Sequence, residues 1–241
     1  MNKWVREVTR DKIDKMVEEI GKDVVMYLFS SIYFNGKWEN PFKGSRTYEG
    51  EFYMDKDKKI KADFMHKDED ILNIYNNDEE GILLPYKGGK YGFLALMPKE
   101  GVAINDYILK LTKDSLESKI KDMEESFVYL SLPKFEIEFG KSLVEDLKEL
   151  GIEKAFDGNR AELYGMGSSS GNLYISDVAQ KTYLKVDEEG TEAASVVKVE
   201  VSEESAPIGE NIDFNRPFVY AIMDLENSLP IFIGVLNNPS N

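Results

Sequence analysis

The sequence predicts an α+β fold, because strand-like runs outnumber helix-like segments and the two kinds do not alternate regularly. The clearest strand is Val24–Phe34, a continuous apolar and aromatic run rich in β-forming residues, which we expect to be buried on both faces. The clearest helix is Thr9–Ile20, where apolar residues recur at spacings of three and four before Gly21.

The remaining elements follow from the same patterns. Apolar or alternating runs bounded by Asp, Asn, Gly and Lys turns predict strands at 48–54, 71–75, 82–85, 91–97, 127–132, 135–137, 173–186, 218–223 and 231–236. We expect two helical pieces within Ile104–Met123 and a short helix over Ser142–Leu150, capped by its serine and ended by Gly151. Gly165–Gly171 is predicted to be a flexible loop. No repeat or linker divides the chain, so residues 1–241 are treated as one domain.

Composition limits the classes of function. The formal net charge is −15, which disfavours binding to phosphate backbones and anionic lipid, so neither nucleic acid nor a membrane is an expected partner. No apolar run approaches membrane-spanning length. The absence of cysteine excludes disulfides, thiolate metal sites and a cysteine nucleophile. The compartment is left open, since extracellular and cytoplasmic locations both fit.

Catalytic groups are sparse. His66 is the sole histidine; we expect it in an exposed polar turn, and no Gly-x-Ser-x-Gly motif accompanies it. The acidic clusters 68–70 and 78–80 are typical of solvated turns, and Lys87–Lys90 is typical of a hairpin turn rather than a phosphate-binding loop. We therefore expect no enzyme, no metal site and no cofactor.

One segment, Gly190–Val201, has an unusual pattern. Every second residue from Thr191 is small or β-branched, the intervening set is largely polar, and no proline interrupts the run until Pro207. The pattern alone favours a hairpin with the preceding strand. The alternative is a strand held in reserve, exposed as a loop in one state and inserted into a sheet in another.

The heptad Glu-Glu-Gly-Thr-Glu-Ala-Ala at 188–194 resembles the hinge of serpins, the segment at the base of their reactive-centre loop. Serpin-like stretches flank it in order, namely Ser-Ile-Tyr-Phe-Asn-Gly-Lys-Trp at 31–38, Leu-Pro-Tyr-Lys-Gly at 84–88, Leu-Pro-Lys-Phe at 132–135, Gly-Ile-Glu-Lys-Ala-Phe at 151–156, Leu-Tyr-Ile-Ser-Asp-Val at 173–178, Asp-Phe-Asn-Arg-Pro-Phe at 213–218 and Phe-Ile-Gly at 232–234. The resemblance covers essentially the whole chain.

The resemblance implies a serpin fold, with a large mixed sheet, smaller antiparallel sheets and surrounding helices. Asn2–Val5 resembles the end of the helix that crosses the front of the large sheet. The helices and two strands that precede it in the family are therefore expected to be missing. Without them, the strand predicted at Val24–Phe34 would have an open apolar edge.

The implied function is suicide inhibition of a serine protease. The protease acylates the exposed loop, here residues 188–207, and the cleaved loop inserts as a strand into the large sheet and traps it. Insertion requires small side chains and no proline in the hinge. Thr191, Ala193 and Ser195 meet the first requirement, and the absence of proline meets the second. The expected hinge consists of Glu188, Glu189, Gly190, Thr191, Glu192, Ala193, Ala194 and Ser195.

The reactive bond is expected among Glu204, Ser205 and Ala206. Counting forward from the hinge with the family's usual spacing gives Glu204–Ser205, whereas counting back from Phe214 gives a bond nearer Ala206–Pro207. Cleavage after the glutamate implies a glutamate-specific serine protease, and cleavage at Ser205–Ala206 implies an elastase- or subtilisin-like one.

Two further regions follow from the resemblance. Trp38 is expected at the breach, where the loop first enters the sheet, and Lys134 is expected to pair there with Glu188. At the shutter, beneath the sheet's centre, Ser30 replaces the family's asparagine and Gln180 replaces its histidine. Both replacements can still form hydrogen bonds, so the cluster is expected to be rewired.

Two classes of function stay open. One is a protease inhibitor, completed where necessary by a separate N-terminal serpin fragment. The other is a truncated or non-inhibitory serpin that proteases cleave as a substrate, or that acts as an interaction or structural remnant.

Overall fold

The computed structural model describes residues 2–17, 20–21, 24–55, 58–167, 171–191 and 207–240. The chain divides into two compact units, residues 1–34 with 137–184 and residues 35–136 with 185–241. Among the described residues the α-helices are α1 (Asn2–Val8), α2 (Ile104–Ile108), α3 (Lys113–Lys121) and α4 (Val144–Glu149). The strands are β1 (Tyr27–Tyr33), β2 (Gly36–Lys37), β3 (Thr47–Asp55), β4 (Lys58–Tyr75), β5 (Glu79–Pro85), β6 (Tyr91–Pro98), β7 (Glu124–Pro133), β8 (Phe135–Ser142), β9 (Asp177–Val186), β10 (Gly190–Thr191), β11 (Glu210–Asp213), β12 (Phe218–Asp224) and β13 (Leu229–Leu236).

The first unit is built on a three-stranded sheet in the order β1-β9-β8. Strands β1 and β9 run parallel over seven residue pairs, from Tyr27 opposite Asp177 to Tyr33 opposite Tyr183. Helix α1 contributes Val5 to a small core that also contains Ile13, Met16 and the Tyr183 ring. In the described part of the chain β1 therefore lies at an edge of this sheet, as expected.

The helix predicted over Thr9–Ile20 is wrong. The described residues 9–17 are turns and irregular chain, and Arg10 and Asp11 have φ values of 52° and 62°, which a right-handed helix does not allow. The Thr9 hydroxyl donates to the Val5 carbonyl and accepts from the Ile13 amide, so a side chain replaces the helical backbone bonds here. The apolar spacing reflects burial of Ile13 and Met16 rather than a helix.

The strand predicted at Val24–Phe34 is shorter than expected, and the prediction that it is buried on both faces is wrong. The structure has β1 at Tyr27–Tyr33, and no residue of it is fully buried. Leu28 is exposed, because an edge strand is covered on fewer sides than the central strand that the apolar run suggested.

The second unit is an eight-stranded sheet in the order β11-β7-β4-β5-β6-β12-β13, with β3 paired to β4. One face packs against α2 and α3 through a hydrophobic core that includes Leu94, Leu96, Tyr107, Leu116 and Met223. The central strands β6 and β12 are buried along almost their whole length, which explains their apolar sequences.

Strand β4 is much longer than the segment predicted from its sequence. It spans 18 residues and pairs with β7 from Phe64 to Asn73, so His66 and the acidic residues 68–70 lie within a strand and not in a turn. His66 is half-buried, and its Nδ1 lies 3.1 Å from the Arg46 carbonyl oxygen. The polar sequence concealed the strand because the sheet's outer face is solvated here.

The cluster 78–80 is also only partly solvated. Glu79 is 2% exposed and accepts hydrogen bonds from Tyr107 and Lys119. Burial, followed by the bond to Glu79, raises the pKa of Tyr107. The expectation of an ordinary solvated turn is therefore wrong for Glu79, whose charge is paired beneath the two helices.

Candidate functional site

The candidate site is built on Trp38, directly after β2. The indole is 1% exposed and stacks on the Tyr86 ring, with ring centroids 4.7 Å apart and planes inclined by 11°. The rings of Phe93 and Phe42 meet it edge-on at 5.7 and 6.2 Å. Trp38 thereby belongs to an aromatic cluster of the second unit that includes Phe93 of β6, and its orientation is fixed from three sides.

The turn Asp187–Gly190, called here the hinge turn, is attached to this indole. The Trp38 indole N–H donates to the Asp187 carbonyl at 2.8 Å, and the Trp38 backbone N–H donates to the Glu189 carbonyl at 2.9 Å. The Glu188 carbonyl accepts from the Phe42 amide at 2.7 Å. Three successive carbonyls are thus satisfied by two neighbouring aromatic residues, which anchors the turn at both ends.

Gly190 allows the hinge turn to approach the chain at β2. Its φ of 143° is rarely adopted by other residues, and a Cβ placed on it would lie 2.1 Å from the Gly36 carbonyl oxygen and 2.7 Å from the Lys37 Cα. Gly190 and Thr191 pair with β2 in antiparallel register. Gly190 also forms an antiparallel bridge with Asp187, with both backbone hydrogen bonds made, so the chain does turn back on itself at this point. Within the described residues the hairpin interpretation holds for this one pair only, and the strand partner of Gly190 and Thr191 is β2 rather than β9.

The Glu188 carboxylate forms a side-chain hydrogen bond and an ion pair within the site. Its Oε1 accepts from the Thr47 hydroxyl at 2.8 Å, and the Lys134 Nζ lies 3.1 Å from Oε1 and 3.0 Å from Oε2. Partial burial raises the pKa of Glu188, but the hydrogen bonds from Thr47, the backbone and Lys134 outweigh it, so the pKa is lowered overall. The carboxylate is ionised at neutral pH and holds the hinge turn to β3 and to the residue after β7.

Replacing Glu188 with glutamine tests this attachment. We expect Glu188→Gln to reduce the free energy of unfolding by about 1 kcal/mol at pH 7, because a partly exposed ion pair is lost while one hydrogen bond from Thr47 can persist. The folded-state pKa is below the ordinary glutamate value, so the contribution is complete above that value and is lost as the pH falls through the folded-state pKa. Urea unfolding of both proteins between pH 7 and pH 3 measures the difference.

Glu100→Gln, in an exposed turn of the same unit, is the matched control. Its unfolding free energy is expected to follow the unmodified protein at every pH. A Glu188→Gln difference that stays constant down to pH 3 would contradict the proposed role of the carboxylate.

The predicted shutter residues lie in the sheet of the first unit. Ser30 and Gln180 are direct partners in the β1–β9 register, and Ser30 is exposed. The Gln180 amide donates to the Thr182 hydroxyl at 3.4 Å, a long bond. The neighbouring Ser31 hydroxyl is buried and has no hydrogen-bond partner among the described residues. The two substituted positions are brought together, and their part in gating stays a prediction.

Several predicted site residues lie outside the described part of the chain. These are the hinge residues Glu192, Ala193, Ala194 and Ser195 and the reactive-bond residues Glu204, Ser205 and Ala206. The structure describes the chain again from Pro207, where it leads into β11.

Three residues of the site are not predicted by the sequence. Thr47 has no distinguishing motif, and its contact with Glu188 spans 141 positions. Phe42 gives no signal because it acts through its backbone amide. Tyr86 lies within the stretch 84–88, so the sequence contains a signal, although it does not indicate stacking on Trp38.

Within the described ranges no group of three or more His, Asp or Glu side chains is arranged to bind a metal ion. The same residues contain no helix long and apolar enough to cross a membrane.

Comparison with known proteins assigns the site to a family. The model of the family described as "Serpin (serine protease inhibitor)" matches residues 1–239. The chain belongs to the serpin family. The match covers nearly the whole chain, including the hinge turn and Trp38, and it confirms the family predicted from the sequence.

Relatives and solved structures agree with this assignment. An alpha-1-antitrypsin homolog of Cyprinus carpio is 31% identical over 242 residues, and Ipis-1 of Ixodes persulcatus is 34% identical over 241 residues. These matches cover 100% and 97% of this chain and 63% of each relative. The native-state crystal structure of tengpin, a thermophilic serpin, superposes with a TM-score of 0.91 at 36% identity, covering 98% of this chain and 62% of tengpin.

The chain thus spans 63% of the length of the carp and Ixodes relatives and 62% of tengpin, in line with the predicted incomplete serpin fold. The prediction that the chain is no enzyme is confirmed by the family, whose matched description is of serine protease inhibitors. Human Protein Z-dependent protease inhibitor, 31% identical over 244 residues, is a relative whose name states a protease target.

Proposed function

We propose that this serpin is a suicide inhibitor of a serine protease, with residues 188–207 as its reactive-centre loop. The protease serine attacks the carbonyl of the scissile residue, an acyl ester forms, and the following residue becomes a new amino terminus. The released N-terminal arm then inserts as a strand between β1 and β9, carrying the acylated protease with it. Insertion of this kind is the addition of a strand to a sheet, driven by strain that the uncleaved loop stores.

The anchored hinge turn is the observation that carries this proposal. Hydrogen bonds from Trp38 and Phe42 and the ion pair between Glu188 and Lys134 hold the base of the loop. A loop that must pull on a sheet after cleavage needs a fixed point from which insertion begins. The proline-free run from Thr191 to Ser195, with small residues at positions 191, 193 and 195, follows this fixed point directly.

The pairing of β1 with β9 supports the proposal from the first unit. The two strands are neighbours in a parallel register of seven pairs. An arriving strand would have to separate these pairs and replace them with two new ladders. An inserted strand would add the backbone hydrogen bonds of a further strand to this sheet.

The second candidate is a serpin that is cleaved in the loop without trapping the protease. The edge position of β1 in the described part of the chain favours it, because an edge strand presents unpaired backbone N–H and C=O groups that can pair with a strand other than the cleaved loop. A separate N-terminal serpin fragment pairing with this edge would restore the first function.

The test is to mix the protein with a glutamyl endopeptidase and, separately, with an elastase-like protease. Denaturing gels detect a covalent complex, and mass spectrometry locates the cut. We expect cleavage among Glu204, Ser205 and Ala206, and a band at the summed mass identifies an inhibitor. Cleavage there without that band supports the second candidate, and resistance of the loop to both proteases contradicts both.

Ala193→Arg and Ala194→Arg form a matched pair for this assay. Ala193 belongs to the alternating set that would be buried on insertion, and Ala194 belongs to the other set. We expect Ala193→Arg to be cleaved normally but to form at least roughly tenfold less complex, because the guanidinium would be buried without a partner. Ala194→Arg is expected to trap normally, and equal effects of the two substitutions would contradict insertion in this register.

A further inference from the structure

A tyrosine on β7 contacts the chain where the reactive loop rejoins the second unit, and the proposed mechanism does not use this contact. The Tyr129 hydroxyl on β7 donates a hydrogen bond of 2.8 Å to the Pro207 carbonyl oxygen. The Tyr129 ring is itself held edge-on by Phe127, with ring centroids 5.3 Å apart. A rigid aromatic side chain therefore fixes the backbone immediately after the expected reactive bond.

The chain also approaches β7 closely two residues later, at Gly209. Gly209 lies so close to β7 that an added Cβ would meet the Phe127 carbonyl oxygen at 2.4 Å. From Glu210 the chain is in β11, paired in parallel with β7 from Val128 onward. The exit of the loop is thus attached at Pro207 and along β11, and it packs closely against β7 at Gly209.

Ile208 lies between these two attachments and is fully exposed, at 102% of its reference area. A single exposed isoleucine is ordinary on a protein surface, but here Pro207 before it is hydrogen-bonded to Tyr129 and Gly209 after it packs closely against β7. If the cut falls after Glu204 or Ser205, Ile208 is the fourth or third residue on the leaving side. A serine protease bound to the loop would meet this side chain beside its active site.

We propose that Tyr129 is a positioning residue of the reactive-centre loop, which presents Ile208 as a specificity contact for a protease with an apolar leaving-side subsite. The proposal rests on the proposed function for its partner. Tyr129 lies opposite Asp68 of β4 and Asn211 of β11. Its hydroxyl donates a hydrogen bond to the Pro207 carbonyl oxygen. Phenylalanine at position 129 would keep the ring packing and remove only that bond.

The test compares Tyr129→Phe, Ile208→Asn and the double variant with Tyr53→Phe. Tyr53 is an exposed tyrosine of the same sheet whose hydroxyl donates to Glu51, so it controls for loss of a surface tyrosine hydrogen bond. Hydrogen exchange of the amides from Ile208 to Asn211 measures the attachment without any protease. The value of kcat/KM for loop cleavage by glutamyl endopeptidase and by elastase measures how well Ile208 is presented to the protease. The Tm measures global stability.

We expect Tyr129→Phe to raise exchange at Ile208–Asn211 and to lower kcat/KM by about three- to tenfold, mainly through KM, with Tm unchanged. Ile208→Asn should lower kcat/KM similarly without raising the exchange. The double variant should lose less than the product of the two single effects, because Ile208 is no longer presented once the attachment is gone. Tyr53→Phe should change none of these quantities.

Unchanged exchange in Tyr129→Phe would overturn the attachment, and a double variant that loses the full product would overturn the presentation of Ile208. A loop that neither protease cleaves contradicts the proposed function and, with it, presentation to these proteases. The exchange measurement still decides whether Tyr129 holds the exit. Failure of the inference and failure of the proposed function are therefore distinguishable.

Discussion

Gly190→Ala is expected to detach the hinge turn from β2 and to lower the free energy of unfolding by about 3 kcal/mol or more. The new Cβ would lie 2.1 Å from the Gly36 carbonyl oxygen and 2.9 Å from the Trp38 amide nitrogen, and both are backbone atoms. Neither can move aside as a flexible side chain would. The strand pair β2–β10 must therefore separate, together with the hydrogen bonds between Trp38 and the turn.

Gly101→Ala is the control for this substitution. Gly101 also has a positive φ, of 90°, but nothing lies within 4 Å of an added Cβ. It should lose only the backbone preference of glycine, about 1 kcal/mol. Urea unfolding of both variants gives the two free energies, and hydrogen exchange at residues 36–38 locates the change. Equal losses, or unchanged exchange next to Gly190, would contradict the steric argument.

If the loop acts as proposed, Gly190→Ala also separates cleavage of the loop from trapping of the protease. The protease would still cleave the loop, because the reactive bond is 14 or more positions away along the chain. The N-terminal arm would start its insertion from a turn that is no longer held. We therefore expect more product cleaved as a substrate and less covalent complex.

Trp38→Ala is expected to cost about 3–5 kcal/mol, the usual range for removing a fully buried large aromatic side chain. The indole is 1% exposed, and its loss leaves Tyr86, Phe93 and Phe42 facing a cavity. It also leaves the Asp187 carbonyl without its 2.8 Å donor. The hinge turn and the aromatic core should therefore weaken together.

Trp38→Phe distinguishes these two contributions. Phenylalanine keeps an aromatic ring in the core and removes the indole N–H, so we expect a loss of about 1–2 kcal/mol. Far-UV circular dichroism during urea unfolding measures both variants without relying on tryptophan emission. Hydrogen exchange at residues 188–190 should rise in both. A hinge turn unaffected by Trp38→Ala would show that the indole serves the core alone.

Much of the second unit is predictable from the sequence. Residues 82–85, 91–97 and 218–223 are apolar enough to predict strands, and the structure has β5, β6 and β12 at these places. The two helical pieces within Ile104–Met123 are α2 and α3. These elements are predicted correctly because burial on both faces of a strand, or on one face of a helix, leaves a local apolar pattern.

The wrong predictions have equally local causes. The polar half of β4 resembles a series of turns because its outer face is solvated and its strand character comes from pairing with β7. The apolar spacing at Ile13 and Met16 resembles a helix, although left-handed residues at Arg10 and Asp11 interrupt the chain. Glu79 lies in an acidic run typical of a solvated turn, although α2 and α3 cover it and supply its partners.

The sequence by itself determined the family, through an ordered set of short motifs along nearly the whole chain, and it predicted which residues form the hinge. Only the tertiary structure decided what holds the hinge turn: the stacked Trp38, the Thr47 hydroxyl and the close approach of Gly190 to Gly36. The reason is physical. Local patterns record whether a side chain is buried, but contacts between residues more than a hundred positions apart depend on how the strands are arranged in the sheet.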